Sequence, residues 1–219
     1  MPVLDHALKG KPACYSSANH RKWEFRCGLY QRHLELYLDR MYEHLRLTGA
    51  ESVLDAGCGE GIVYRAMRER GWQGTWTGFD FSRDAVGFAR TASPEARWHH
   101  ASAHHIPFAD SSFDVVFSSQ VLEHLPNPED ALNEFARVAR RRLLLSVPLE
   151  PYFRALTWLS VTLRIGGDPG HVNHWNPSAF RRFASLAGRI ESWQRTTVYQ
   201  IALVDVTARR CVESTDSLR

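Results

Sequence analysis

The residues Val53-Leu54-Asp55-Ala56-Gly57-Cys58-Gly59-Glu60-Gly61 decide the fold of this 219-residue chain. A short apolar run over Ser52–Asp55 ends here in a glycine-rich turn, and Ile62–Glu69 follows with the apolar spacing of a helix. Glycines let the main chain turn sharply and let a ligand approach it closely. The stretch therefore predicts the ligand-binding corner of a parallel α/β sheet, at the carboxyl end of its first strand.

The rest of the chain alternates between short apolar runs and helical patterns. Ser82, Asn127 and Asn176 are placed to cap three of the helices, and a proline follows each asparagine. Strands are predicted at 52–55, 75–80, 96–100, 113–119, 143–148, 190–193 and 198–204, and helices at 24–47, 62–69, 82–92, 128–140 and from 177 to before 188. This order predicts a single-domain, doubly wound, Rossmann-like α/β fold, with about seven mostly parallel strands and helices on both faces.

Composition excludes several other classes of protein. The net charge is only +3, and the arginines are spread along the chain, so no nucleic-acid partner is expected. The four cysteines are far apart and form no Cys-x-x-Cys pair, which argues against a disulfide scaffold and favours a reducing, cytoplasmic location. No apolar signal core begins the chain, and the longest apolar stretch, 152–165, contains two arginines and is too short to span a bilayer.

The glycine-rich turn itself distinguishes between two classes of ligand. A dinucleotide fingerprint Gly-x-Gly-x-x-Gly would need glycine or alanine at the position of Ile62. Asp55 and Glu60 also place carboxylates where a pyrophosphate would lie, which is electrostatically unfavourable. A ligand with a cationic amino-acid end would be attracted instead.

The segment Val53–Gly61 closely resembles the first motif of class I S-adenosylmethionine-dependent methyltransferases. Asp80, which ends the second strand, matches the acidic residue that binds the ribose hydroxyls in that superfamily, and His100–Pro148 is similar to the central block of its small "type 11" branch. The resemblance implies S-adenosylmethionine as the cofactor. It implies cofactor contacts from Asp55, Ala56, Gly57, Cys58, Gly59, Gly61, Asp80, Phe81, Ser102, Ala103, His104 and Gln120.

The chain departs from the pattern of this branch at three places. Ser102-Ala103 stands where an aspartate commonly lies near the adenine, so that contact would come from the backbone or from His104. Arg140-Arg141-Arg142 replaces a common Pro-Gly-Gly turn. Residues 119–122 lack the Asp/Asn-Pro-Pro-Tyr sequence of amino-group DNA methyltransferases, and no Pro-Cys nucleophile motif is present.

The resemblance also divides the chain into segments. The predicted boundaries are a helical segment over 1–48, a cofactor-binding core over 49–148, a substrate lid inserted over 149–176, a helix and strand pair over 177–205, and a polar tail over 206–219. Segments this long between a strand and a helix are usually functional. The start and end of the lid, Pro-x-Glu-Pro-x-Phe and Gly-His-x-x-His-Trp, resemble a group of bacterial and archaeal methyltransferases whose substrates are often unassigned.

Two interpretations of the lid remain open. Apolar residues at 152, 156, 159 and 163 fall on one helical stripe, which is consistent with a packed helix or with an amphipathic lid that receives an apolar or lipid-linked acceptor. Any membrane contact would be peripheral, through 152–165. His124, His171 and His174 are the candidate catalytic residues, because a neutral imidazole can take a proton from a hydroxyl acceptor, and Glu123 could orient one of them.

Eleven histidines also raise the question of a metal ion. His171-x-x-His174 could bring two imidazoles together, and four histidines cluster between 99 and 105. Methyl transfer from a sulfonium needs no Lewis acid, and no carboxylate or cysteine cluster accompanies these histidines in the sequence. No metal site is therefore predicted.

The predicted function is direct, in-line methyl transfer to a small-molecule or lipid- or glycan-linked acceptor. Two alternatives remain: a non-catalytic protein that binds S-adenosylmethionine or its product, and a nicotinamide-dependent oxidoreductase, which shares the fold and the ribose-binding aspartate. The acceptor, the acceptor atom and the oligomeric state do not follow from the sequence.

Overall fold

The computed structural model describes residues 28–152 and 170–207. Within these ranges the chain forms five α-helices, seven strands and one turn of 3₁₀ helix over Leu122–His124. The elements are α1 (Gly28–Leu47), β1 (Ser52–Ala56), α2 (Ile62–Glu69), β2 (Thr75–Asp80), α3 (Arg83–Ala92), β3 (Arg97–His100), β4 (Phe113–Ser119), α4 (Pro128–Val138), β5 (Ala139–Pro148), α5 (Pro177–Ser185), β6 (Arg189–Arg195) and β7 (Tyr199–Asp205).

The seven strands form one sheet in the order β3-β2-β1-β4-β5-β7-β6. The first five strands are parallel, and β7 runs antiparallel to both of its neighbours. The chain winds outward from β1 to β3 and then crosses to β4 on the other side of β1. The predicted doubly wound α/β fold is confirmed, and its switch point lies between the carboxyl ends of β1 and β4.

Alternate side chains of the strands build a core on each face of the sheet. In β4, Val115 and Phe117 pack on the face covered by α1, α2 and α3, whereas Val116 packs on the face covered by α4 and α5. This alternation is what a strand with both faces buried requires. The two cores hold β1 and β4 side by side, which fixes the positions of the loops that follow them.

Two of the three predicted helix caps use their side chains. Ser82 Oγ accepts a hydrogen bond from the Ala85 N–H at 3.2 Å, and Asn176 Oδ1 accepts one from the Ala179 N–H at 2.9 Å. Asn127 precedes α4 as expected, but its side chain makes no capping bond. Pro177 follows Asn176 in the same way, so the proline does not account for this difference.

The predicted boundary between the fourth helix and the fifth strand is wrong. The sequence analysis extended the helix to Arg140 and started the strand at 143, whereas α4 ends at Val138 and β5 begins at Ala139. Cross-strand ion pairs stabilise the early start, because Arg140 binds Asp114 at 2.7 Å and Arg142 binds Glu191 at 2.6 Å. A run of arginines lacks the apolar alternation that predicts a strand, so the start of β5 before residue 143 could not be predicted.

Some predicted segments lie outside the described residues: the start of the first helix before 28, most of the apolar stripe of the lid (153–169) and the tail from 208. The division of the chain into a core, a lid and flanking segments stays a prediction. None of the helices in 28–152 and 170–207 has the length and apolar character that a bilayer-crossing span needs.

Candidate functional site

The glycine-rich turn is fastened to the end of the neighbouring strand β2. The N–H groups of Gly57 and Cys58 both donate to the Phe79 carbonyl at 2.9 Å. Gly57 has a φ of +79°, and a Cβ built there would lie 2.4 Å from Val121 Cγ2. Any other residue at position 57 would therefore have a strained backbone, and its side chain would collide with Val121, which lies two residues after β4.

The opposite side of the turn is open. Gly59 has a φ of +52°, and a Cβ built on it would meet no atom within 4 Å. The side chains of Ala56 and Cys58 are buried in the core, and burial raises the pKa of the Cys58 thiol. These two residues therefore offer a ligand mainly their main chain, and the turn presents backbone groups on its open side.

Asp80 connects the turn to the start of α3. Its Oδ2 accepts from the Gly59 N–H and its Oδ1 accepts from the Ser82 N–H, each at 2.8 Å. Each carboxylate oxygen has a second lone pair, so the group can still accept from a vicinal diol. Phe81, the next residue, is 78% exposed and offers a flat apolar surface beside this carboxylate.

Asp55, at the end of β1, has a strongly raised pKa. The side chain is 2% exposed, and within the described residues its Oδ2 has no hydrogen-bond partner. Burial raises the pKa of the Asp55 carboxyl to about 8; the Trp76 indole opposes this rise, and the charge of Asp80 adds to it. The carboxyl is therefore mostly protonated at neutral pH, and a cationic ligand group nearby would favour its ionisation.

Glu60 lies in the same turn but interacts with the helix that follows it. Arg65 donates to the Glu60 carbonyl at 2.9 Å, and the Glu60 charge opposes the burial that lowers the pKa of Arg65. The carboxylate is thus partly balanced by a cation of α2. The sequence argument from the charges of Asp55 and Glu60 is therefore weakened in the ligand-free chain, and Ile62 carries more of the case against a dinucleotide fingerprint.

The residues predicted near the adenine adjoin Asp80. The N–H of Ala101 donates to the Asp80 carbonyl at 3.1 Å, and Ser102 Oγ accepts from the His104 N–H at 3.2 Å. Ala103 is buried in the core. The His104 ring binds the Asn127 carbonyl through Nε2 at 3.1 Å, so this ring is directed toward the start of α4. Among the groups proposed for this contact, the backbone and Ser102 fit better than His104.

A polar network lies where β4 and β5 end. Gln120 has a φ of +59°, and both its backbone N–H and its Nε2 donate to Ser146 at 3.0 Å. Tyr37 of α1 reaches Ser119 with its hydroxyl at 2.6 Å, and burial raises the pKa of Tyr37 to about 12. The side chain of Gln120 is thus directed to β5. The Tyr37 hydroxyl lies beside Ser119 and is not ionised at neutral pH.

The end of the segment predicted to be a lid, residues 149–176, is anchored to the sheet. The buried Gln200 of β7 donates through Nε2 to the Trp175 carbonyl at 2.9 Å and to the Pro148 carbonyl at 3.2 Å. Beside this anchor, His174 Nδ1 lies 3.2 Å from the Glu150 carboxylate, which is 8% exposed. A carboxylate only accepts, so Nδ1 carries the proton when the ring is neutral and Nε2 is the basic nitrogen.

The other two candidate catalytic histidines, His124 and His171, lie close to each other. The rings of His124 and His171 are 4.8 Å apart, and the His171 and His174 rings are 6.4 Å apart. The histidines between 99 and 105 do not converge: His99 packs on Phe108, and His100 binds the Phe81 carbonyl. The structure therefore groups the three histidines that the sequence analysis selected as catalytic candidates.

Sequence analysis missed two residues of this region. Glu150 lies two residues after the end of β5, and this position near a strand end was a usable signal. Tyr37 gave no signal, because it lies on the apolar stripe of α1 and is 1% exposed. Only the packing of α1 against the ends of β4 and β5 brings its hydroxyl to Ser119.

Comparisons with known proteins agree with this geometry. A family model described as a methyltransferase domain matches residues 54–145. A ubiquinone biosynthesis O-methyltransferase of Aromatoleum aromaticum is 32% identical over 188 residues, which cover 80% of this chain and 79% of that protein. An enzyme of the same name from Azoarcus sp. strain BH72 is 33% identical over 141 residues, which cover 58% of this chain and only 56% of that protein.

A solved structure has the same fold. The magnesium protoporphyrin IX methyltransferase of Synechocystis PCC 6803, crystallised with SAH, superposes with a TM-score of 0.61 at 21% identity, over 80% of this chain and 84% of that one. The chain belongs to the class I S-adenosylmethionine-dependent methyltransferases, in their type 11 branch. S-adenosylmethionine is accordingly its cofactor, and the nicotinamide-dependent alternative is not supported.

Proposed function

We propose that this chain transfers the methyl group of S-adenosylmethionine to a hydroxyl of a small-molecule or lipid-linked acceptor. The observation that carries the proposal is the Asp80 carboxylate, which binds both the open glycine turn and the start of α3 at the switch point of the sheet. The O-methyltransferase names of the relatives support a hydroxyl acceptor.

The cofactor would lie across the carboxyl ends of β1 and β2. In this arrangement Asp80 binds the ribose diol, the open side of Gly59 faces the ligand, and Phe81 covers the adenine. Asp55 would face the cationic amino-acid end, where its ionisation becomes favourable. The backbone around Ser102 would contact the adenine edge.

The acceptor would enter beneath the lid, on the side of β4 and β5. Methyl transfer is a direct displacement, in which the acceptor oxygen lies in line with the S–CH₃ bond at roughly 3 to 3.5 Å. His174 would take the hydroxyl proton through Nε2, while Glu150 holds Nδ1–H and stabilises the imidazolium that forms.

Ligand binding tests the cofactor half of the proposal. S-adenosylhomocysteine and S-adenosylmethionine should raise the melting temperature, since a ligand at 100 times its dissociation constant stabilises the folded state by about 2.7 kcal/mol. NAD should produce no shift. A shift with NAD and none with S-adenosylhomocysteine would contradict the proposal. Tight S-adenosylhomocysteine binding without turnover on a panel of glycan, quinone and phenolic acceptors would favour the non-catalytic alternative.

Asp80→Ala should weaken S-adenosylhomocysteine binding at least tenfold. The substitution removes charge-assisted hydrogen bonds to the ribose, each worth about 1.5 to 3 kcal/mol, and frees the Gly59 N–H. Calorimetric titration measures the affinity. Asp84→Ala is the matched control, because Asp84 is an exposed carboxylate in the first turn of α3. Equal affinities for Asp80→Ala and the unmodified chain would remove Asp80 from the ribose site.

A further inference from the structure

Glu123, His124 and His171 form a compact group, called here the His–Glu cluster. Glu123 and His124 belong to the 3₁₀ turn after β4, and His171 comes from the end of the lid. One potential ligand atom from each residue lies within 4.8 Å of the other two. The Glu123 side chain is fully buried, whereas both rings are accessible. The sequence analysis considered Glu123 only as a residue that could orient a histidine and predicted no metal site, whereas the fold places it beside His171, 48 residues further along the chain.

Backbone hydrogen bonds hold the two parts of the cluster together. The N–H groups of Val172 and Asn173 donate to the Glu123 carbonyl at 2.9 and 3.0 Å. The Asn173 side chain donates to the Leu122 carbonyl at 3.2 Å and also to the Leu125 carbonyl. These hydrogen bonds hold the segment that carries His171 against the 3₁₀ turn that carries Glu123 and His124.

The His124 ring is oriented as metal-binding histidines usually are. Its Nδ1 lies 3.3 Å from the Gly170 carbonyl. A carbonyl only accepts, so Nδ1 carries the proton and Nε2 carries the lone pair. A second hydrogen bond from the ligand ring to a carbonyl is a common feature of metal sites, because it fixes the tautomer and the ring plane.

We propose that the His–Glu cluster binds one divalent transition-metal ion through the Glu123 carboxylate and the two imidazoles. Two histidines and one carboxylate are a recurrent set for zinc, manganese and iron(II), and they leave coordination positions open for an outside oxygen. Ligand bonds of about 2.0 to 2.2 Å in tetrahedral geometry place ligand atoms roughly 3.4 Å apart. Binding would therefore require these ligand atoms to approach one another by up to about 1.4 Å.

The position of the cluster suggests what the open coordination would hold. Val121, two residues before Glu123, is the residue against which Gly57 packs, so the 3₁₀ turn starts at the cofactor loop. The lid end that supplies His171 also supplies His174. This part of the inference rests on the proposed function: the ion would bind the acceptor oxygen beside the methyl group, and His174 would remain the base.

Metal titration of the protein without an affinity tag tests the cluster. Calorimetry with Zn²⁺, and absorption spectra with Co²⁺, should show one site per chain. His124→Ala and His171→Ala should each weaken Zn²⁺ binding more than tenfold. His105→Ala should bind as the unmodified chain does, because that exposed histidine belongs to the group near residue 100 that does not converge. Absence of a one-to-one site, or a site that survives both cluster substitutions, would overturn the proposal.

S-adenosylhomocysteine binding, measured on the same preparations, separates this inference from the proposed function. Both cluster variants should keep their S-adenosylhomocysteine affinity, which also shows that they are folded. Failure of Zn²⁺ binding with S-adenosylhomocysteine binding intact contradicts the metal site alone. Zn²⁺ binding in a chain that fails to bind S-adenosylhomocysteine supports the metal site and contradicts the proposed function.

Discussion

His174→Ala should lower turnover by about 100-fold to 10,000-fold, the usual contribution of a general base, while the affinity for S-adenosylhomocysteine stays unchanged. The reason is that the Glu150 carboxylate holds Nδ1 of His174, which leaves Nε2 as the nitrogen that can take the acceptor's proton. The loss should shrink at high pH, where a phenolic or similar hydroxyl acceptor ionises without help. Steady-state kinetics across pH, together with calorimetry, measures both effects.

Glu150→Gln provides the matched variant for this prediction. Glutamine can still accept a hydrogen bond from Nδ1–H but no longer stabilises the imidazolium, so turnover should fall by less than in His174→Ala. His171→Ala is also expected to lower turnover with little change in cofactor affinity. If His174→Ala lost S-adenosylhomocysteine affinity along with activity, the residue would belong to the cofactor site or to the structural core. Full activity of the His171→Ala/His174→Ala double variant would mean that the segment over 170–175 is a packed loop with no role in catalysis.

The stability of the ligand-free protein should depend on the ionisation of Asp55. The pKa of the Asp55 carboxyl is about 8 in the folded chain and near 3.9 when unfolded, so the folded state binds the proton more tightly. Asp55 therefore lowers stability progressively as the pH rises from about 4 to 8, and the full penalty applies above 8. At about 1.4 kcal/mol per pKa unit, this difference of about four units corresponds to a penalty of at most about 6 kcal/mol.

Asp55→Asn removes this penalty, because an amide of the same shape does not ionise. The variant should unfold at a higher urea concentration than the unmodified chain at pH 9 and at nearly the same concentration at pH 4. S-adenosylmethionine binding at pH 7 should release close to one proton from the unmodified chain and none from the variant, as calorimetry in two buffers would show. Parallel pH profiles of the two proteins would mean that Asp55 is ionised normally in the folded state.

The cofactor side of the site could be predicted because its signals are local in sequence. Asp55, the glycines and Asp80 each lie at the end of an apolar run, and parallel strands bring those ends to one edge. The acceptor side could not be predicted in the same way. Tyr37 reaches Ser119 from 82 residues away, and Glu123 meets His171 only because the lid returns to the 3₁₀ turn. Such contacts depend on tertiary packing that no short window contains.

The prediction of secondary-structure boundaries was wrong at the start of β5, where the strand consists of charged residues. Arg140, Arg141 and Arg142 lack the apolar alternation on which the strand prediction depended, yet they form the first half of β5. Their partners, Asp114 and Glu191, lie on separate strands on either side of this stretch. The sequence shows each charge but not which charges face one another, so the compensation that permits a strand there was invisible.

The two ends of the segment over 149–176, the predicted lid, are each fastened to other parts of the described fold. Gln200 holds the carbonyls of Pro148 and Trp175, and the backbone of 172–173 is fastened to Glu123, so the exit and the return of the chain are set by the sheet and not by 153–169. Closing a loop between fixed ends costs only about 0.6 kcal/mol for each doubling of its length. We therefore expect that changes of length between residues 153 and 169 would leave the positions of Pro148, Trp175 and the glycine-rich turn largely unchanged.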